Sequence, residues 1–332
     1  MNLDKFLGCV YGATIGDRIG VPVETMTACE IHSKFGEIRG FTPGSKPSDD
    51  SQLLFAMMDA FIESGGKFSM PHIVEMHKEA YRNEWHGWGR STRQACKRLC
   101  TGAHWTESGE ENGAGNGVMM KIPALGLWNS LATEDIATFL DRCVELARMT
   151  HLGTPAIVGG AIHTVAITTL AARTHPFVHA HTFLSYLYAV AGGLEAKLPT
   201  WKDKISQEII NIANLIHYGR RGDLREKTPG DIAYLFGGGT SYAPCSLGLS
   251  YVIFAKTVLC NPDNPNPFDA VFEAVNAGGD TDTNASIVGS LVGALYGMKA
   301  IPQDLIDALP DKEEIRKRTE KFFEACERRV GL

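Results

Sequence analysis

The chain has 332 residues, 44% hydrophobic and 21% charged, an ordinary globular balance with enough length for a substantial core. A formal net charge of -6 argues against nucleic-acid recognition through a strongly basic surface, while leaving room for a local basic patch. Eight cysteines without a Cys-x-x-Cys pair exclude a zinc ribbon or a disulfide-dense secreted scaffold.

Met1-Asn2-Leu3-Asp4-Lys5 lacks a basic region followed by a sustained apolar signal, so a cytoplasmic location is expected. Helical patterning is then expected near 5–16, 52–63, 71–82, 91–100, 134–149, 154–173, 177–193, 204–217, 245–260, 267–277, 284–297 and 312–328. The longest weakly polar stretch, 156–172, holds His163, a Gly-Gly pair and several threonines. It fits a buried core helix better than a membrane span, and no membrane or nucleic-acid partner is expected. Near the end of the chain, Phe322 and Phe323 offer an anchor for a charged helix. Strand alternation is scarce. Gly65-Gly66, Gly237-Gly238-Gly239 and the run from Asn261 to Pro267 punctuate the chain as loops, and none is a domain linker. The pattern predicts a single all-α domain over 1–332 and, from its compactness, a monomer.

Two acidic stretches carry the chemistry. Ser48-Asp49-Asp50-Ser51 precedes an apolar run in which Leu54, Met57, Met58 and Phe61 fall at helical spacing. Asp280-Thr281-Asp282-Thr283 follows Gly278-Gly279 and precedes a helix expected from Asn284 to about Tyr296. Asp282 and Thr283 fit a helix cap, as Asp and Thr commonly do, and they equally fit hard-oxygen ligands for Mg²⁺ or Ca²⁺. If the two helix starts meet, four carboxylates face one point and raise each other's pKa. A pair of divalent cations would relieve that repulsion.

These motifs and four others, in order, resemble the ADP-ribosylglycohydrolase family nearly end to end. The others are Gly8 to Asp17 with Gly20-Val21-Pro22-Val23-Glu24, then Gly87-Trp88-Gly89-Arg90-Ser91-Thr92-Arg93, then Gly115-Asn116-Gly117-Val118-Met119-Met120-Lys121, and Thr150-His151. The resemblance implies a compact orthogonal multi-helix bundle. It implies two Mg²⁺ ions, with Mn²⁺ or Ca²⁺ as possible substitutes, held by Ser48, Asp49, Asp50, Asp280, Asp282 and Thr283. Ser48 stands where the family usually has Thr, which keeps the hydroxyl and loses the β-branch that stiffens χ1. Glu24 matches an acid on a mobile loop over the metals. Asp17, near the end of the first helix, is expected to be structural or to support the site residues from behind, with a partner such as Arg18 or Arg93.

By the same resemblance, Gly115, Asn116 and Gly117 hold the diphosphate and distal ribose of ADP-ribose, and His151 packs beside the metal-bound ribose. Seen alone, the glycine-rich loop fits a routine turn or a phosphate cradle before a helix terminus, and His151 fits a C-terminal cap. Lys121 stands where Arg is common and loses the planar donor fork. Trp85, His86 and Trp88 fit either adenine stacking or core packing. The implied reaction hydrolyses the bond between ADP-ribose and a protein side chain, with arginine as the default acceptor. Asp49 or Asp280 would move the proton, and Glu24 would assist at the metals. The partner is then an ADP-ribosylated protein or a small ADP-ribosyl compound. Hydrolysis of another ribosyl substrate and non-catalytic ADP-ribose binding are the alternative readings.

Overall fold

Glycines at four-residue spacing bring two helices together that lie far apart in sequence. The computed structural model describes residues 3–131, 134–173, 179–217, 224 and 226–330, and among them it contains helices and no sheet. In chain order the helices are α1 (Leu3–Gly20), α2 (Ala28–Phe35), α3 (Asp49–Glu63), α4 (Met70–Arg82), α5 (Arg90–Cys100), α6 (Trp105–Ser108), α7 (Pro123–Leu131), α8 (Ile136–Arg148) and α9 (Thr154–Ala171). They continue as α10 (Ala180–Glu195), α11 (Ile205–His217), α12 (Pro229–Leu235), α13 (Ala243–Phe254), α14 (Asp269–Asn276), α15 (Thr281–Tyr296), α16 (Gln303–Ala308) and α17 (Lys312–Val330).

The central pair is α1 against α15, running antiparallel. Gly8, Gly12, Gly16 and Gly20 lie on one face of α1, opposite Gly293 and Gly297, Gly289, Ala285 and Asp282 respectively. A Cβ at Gly12 would overlap the Gly289 carbonyl, and one at Gly289 would overlap the Gly12 carbonyl. Both helices are buried almost all round. Only glycine allows backbones to come this close, and the stripe ends at the acidic motif: Gly20 packs on Asp282, and the Thr281 hydroxyl donates to the Gly20 carbonyl at 2.8 Å.

The remaining helices wrap this pair. Phe322 and Phe323 of α17 meet Phe6 of α1 at ring-centroid distances of 5.5 and 5.0 Å, the anchor expected from sequence. Helix α9 is long and apolar enough to cross a membrane, yet it lies almost wholly buried among α7, α8, α10 and α15, as a core helix should. Its His163 is buried between Tyr251 (3.1 Å) and Ser290 (3.1 Å).

Candidate active site

Ser48 opens α3 in extended backbone, and its hydroxyl accepts the Asp50 amide hydrogen at 3.2 Å. Capping thus falls to Ser48 and leaves Asp49 and Asp50, in the first helical turn, for other contacts. The Asp49 amide donates to the His86 carbonyl at 2.8 Å. Gly87, at φ 100°, lets the 86–89 segment pass directly over the Asp49 carboxylate, where a Cβ would collide with Oδ1.

Helix α15 begins at Thr281, three residues before the expected Asn284. Asp280 is its N-cap and makes no side-chain capping bond, so Asp282 and Thr283 sit inside the first turn and are not caps. The Thr283 hydroxyl donates to Asp50 Oδ2 at 3.1 Å, which joins the two acidic motifs. The glycines before them, Gly278 and Gly279, both have positive φ. The Gly279 amide donates to the Met26 carbonyl at 2.8 Å, and the Thr25 amide donates to the Gly279 carbonyl at 2.7 Å. The segment carrying Glu24 is therefore stitched to the segment carrying Asp280.

Asp17 has partners other than those expected from sequence. Its fully buried carboxylate accepts from the Ser48 amide (3.1 Å) and hydroxyl (2.7 Å), the Ser51 amide (3.2 Å) and the Ser51 hydroxyl. Neither expected arginine partners it: Arg18 binds Asp311 at 2.6 Å, and Arg93 binds Glu84. One carboxylate oxygen each from Asp17, Asp50 and Asp282 lie within 4.8 Å of one another, as do one each from Glu24, Asp280 and Asp282. Asp282 belongs to both trios, and Asp49 to neither. The signal for Asp17 lay in its spacing, one residue past Gly16 in the glycine stripe that leads to Asp282.

Burial raises the pKa of every acid in the cluster, and like charges add to it. For Asp282 the further contributors are Asp280, Asp50, Glu24 and Asp17, and for Asp50 they are Asp17, Asp49 and Asp280. Asp17 and Asp280 are raised by burial, partly offset by their hydrogen bonds. Asp49 is pushed up to about 7 by burial, then by the Asp17 charge. Half-buried Glu24 is raised by burial and Asp280, while His86, 3.7 Å away, pulls it back. Asp50 Oδ1 is buried without a hydrogen-bond partner. An all-oxygen donor set, an orphaned carboxylate oxygen and crowded negative charge fit hard divalent cations.

The glycine-rich loop joins this centre through Asn116. Its Nδ2 donates to Asp280 Oδ2 at 2.6 Å and to Ser246 Oγ at 3.1 Å, and Ser246 in turn donates to Asn284 at 2.6 Å. Gly115 forms an isolated bridge with Tyr242. No helix terminus follows the loop directly, because residues 118–122 form turns and α7 starts only at Pro123. His151 is buried with its ring beneath Gly113, Gly115 and Gly117; a Cβ at Gly117 would meet its Cε1 at 3.0 Å. Its amide closes α8 on Ala147 at 2.9 Å, so the backbone makes the cap and the ring is spared for the loop.

Lys121 is wholly buried and donates to Thr150 Oγ1 at 3.0 Å. Trp88 is buried, with its Nε1 on Gln52 at 2.8 Å, and Trp85 packs edge-on against Phe55. Both tryptophans thus have packing partners in the protein.

The all-helical scaffold gathers six acids, Asp17, Glu24, Asp49, Asp50, Asp280 and Asp282, beside a glycine-rich loop, a donor set that fits hard cations. Residues 1–331 match the ADP-ribosylglycohydrolase family, a class of hydrolases, and the chain belongs to it. It is 26% identical to the ADP-ribosyl-[dinitrogen reductase] glycohydrolase of Rhodospirillum rubrum over 96% of each chain. It is 24% identical to the ADP-ribosylarginine hydrolase Tri1 of Serratia proteamaculans, covering 97% of this chain and 80% of that one. A solved structure described as an ADP-ribosylglycohydrolase-related protein complex shares the fold, with TM-score 0.70, 24% identity and 98% of each chain covered. The family and these relatives make the chain a hydrolase of ADP-ribosyl glycosidic bonds.

Proposed function

We propose that the protein is a Mg²⁺-dependent hydrolase that releases ADP-ribose from the arginine side chains of modified proteins. The observation that carries this reading is the pair of carboxylate trios sharing Asp282, tied to the glycine-rich loop by the Asn116–Asp280 hydrogen bond. Asp17, Asp50, Asp282, Asp280 and Glu24 would hold two ions, with the Ser48 and Thr283 hydroxyls at their edge. Bound there, Mg²⁺ would supply Lewis acidity and an activated water. Mn²⁺ or Ca²⁺ would suit the same hard donors.

Asn116 fixes the Asp280 carboxylate by a short hydrogen bond, and Asp280 is engaged in a trio. Asp49 stands outside both trios, beneath the 86–89 segment, so its carboxyl is the one left to give and regain a proton. We therefore assign proton transfer to Asp49 rather than Asp280. The remaining acids are placed to stabilise positive charge that develops on the sugar as the bond breaks. Arginine as acceptor is supported by the named activity of the Serratia relative.

The test is release of ADP-ribose from mono-ADP-ribosylated arginine and serine peptides, with and without Mg²⁺, by wild type and Asp282→Asn. Release from the arginine peptide alone, dependent on Mg²⁺ and lost in the variant, is expected. Release from serine alone would replace the acceptor, and equal turnover by Asp282→Asn would overturn the site.

A further inference from the structure

Three buried polar groups stand in line behind the glycine-rich loop. Lys121 Nζ lies 3.0 Å from Thr150 Oγ1, which lies 2.9 Å from His151 Nδ1. All three residues are at most 2% exposed. A lysine ammonium can only donate, so it occupies a lone pair of the Thr150 hydroxyl. The hydroxyl hydrogen must then find an acceptor, because a buried unpaired donor costs about 1–3 kcal/mol. His151 Nδ1 is the acceptor within reach, and among the described residues Thr150 Oγ1 has no other.

We propose that Lys121 and Thr150 are positioning residues that fix His151 in the tautomer protonated on Nε2, making its ring a hydrogen-bond donor to an oxygen of ADP-ribose under the glycine-rich loop. The geometry at the other end agrees. The Cδ2, Nε2 and Cε1 edge of the ring lies against Gly113, Gly115 and Gly117, and no described protein group accepts from Nε2. Burial, with the nearby Lys121 charge, holds the His151 pKa down to about 3, so the ring is neutral and its tautomer decides whether Nε2 donates or accepts. Lys121 acts through Thr150 and does not itself reach the ligand. Only the identity of the accepting oxygen rests on the proposed function; the tautomer is a property of the free protein.

The experiment is ¹⁵N NMR of histidine-labelled protein without substrate, with the His151 signals assigned by their loss in His151→Gln. Wild type is expected to show a protonated Nε2 and an accepting Nδ1. Lys121→Met frees the hydroxyl to accept, so Nδ1–H should become populated, while Lys121→Arg should retain the wild-type pattern. In the peptide assay, Lys121→Met should raise KM roughly three- to tenfold, the worth of one neutral hydrogen bond, with kcat little changed. A wild-type spectrum with Nδ1 protonated overturns the proposal without any variant. So does a folded Lys121→Met protein with an unaltered tautomer and KM. If wild type shows the expected tautomer yet releases no ADP-ribose, the functional reading fails and the tautomer stands.

Discussion

Gly87 shows how a residue without a side chain can govern one that has chemistry. Its φ of 100° belongs to glycine, and its Cα lies against the Asp49 carboxylate. Gly87→Ala should cost about 1–2 kcal/mol from the backbone conformation. It should lower kcat by roughly 10²-fold, because a displacement of about 1 Å at a reacting group has that effect. Thermal unfolding and steady-state kinetics would separate the two, and unchanged turnover would remove Asp49 from proton transfer. At this scale the sequence was informative where residues sit side by side. Asp49 with Asp50, and Asp280 with Asp282, were legible as paired acids. Asp17 was not, because a single acid at a helix end reads as an isolated charge until Ser48 and Ser51, more than thirty residues on, are seen to donate to it. Lys121 was legible only as a lysine in the place of an arginine, and its burial behind Thr150 depends on packing that no local pattern carries.

Among helices, the glycine face of α1 makes the sharpest demand. Gly12→Ala would drive a methyl into the Gly289 carbonyl and should cost about 3 kcal/mol or more, read from urea unfolding. Because the same stripe places Asp17 beside Asp282, activity should fall along with stability. A folded Gly12→Ala enzyme with wild-type stability would contradict this packing. The four isolated backbone bridges of the described residues, Thr27–Gly278, Ser48–His86, Glu110–His151 and Gly115–Tyr242, all lie around the site. Single bridges, rather than a sheet, hold its loops in register. Long amphipathic helices were legible almost to the residue: 70–82 was expected as 71–82, and 205–217 as 204–217. Helix α7 was missed because it is buried nearly all round and so lacks a polar face to set a period. Helices α2, α6, α12 and α16 are too short for the pattern to declare itself. The expected helix over 177–193 starts at Ala180 in the structure, and residues 177 and 178 lie outside those described.

For the whole molecule, the acids and the buried histidines respond to pH with opposite signs. His77, His151 and His163 are held down to about 3 by burial, so the unfolded chain takes up protons first and stability falls as pH drops from about 6.5 toward 3. Without metal, the acid cluster has raised pKa values. It favours the folded state when protonated, and its penalty grows as pH rises from about 4 through about 7, the level to which burial pushes Asp49. Metal binding requires the ionised carboxylates, so Mg²⁺ should stabilise most at high pH. The gap in Tm between Mg²⁺-loaded and chelated protein, followed by differential scanning fluorimetry, should therefore narrow as pH falls from about 8 to about 5. A gap independent of pH would mean that the acids do not bind the ion. The fold class was legible because scarce strand alternation and recurring 3.6-residue periodicity act over the whole chain. Which helix meets which was not, since that depends on contacts across hundreds of residues.

The seat of Gly20 on Thr281 spans 261 positions. At a synthesis rate of roughly 5–20 residues per second, the first helix leaves the ribosome about 13–52 s before its partner exists. For that interval a helix buried on nearly every side lacks its main partner, and Asp17 lacks Asp282. The acids of the first helices cannot be gathered with Asp280 and Asp282 until those residues have been made. Catalytic competence thus waits on a helix made long after the first one.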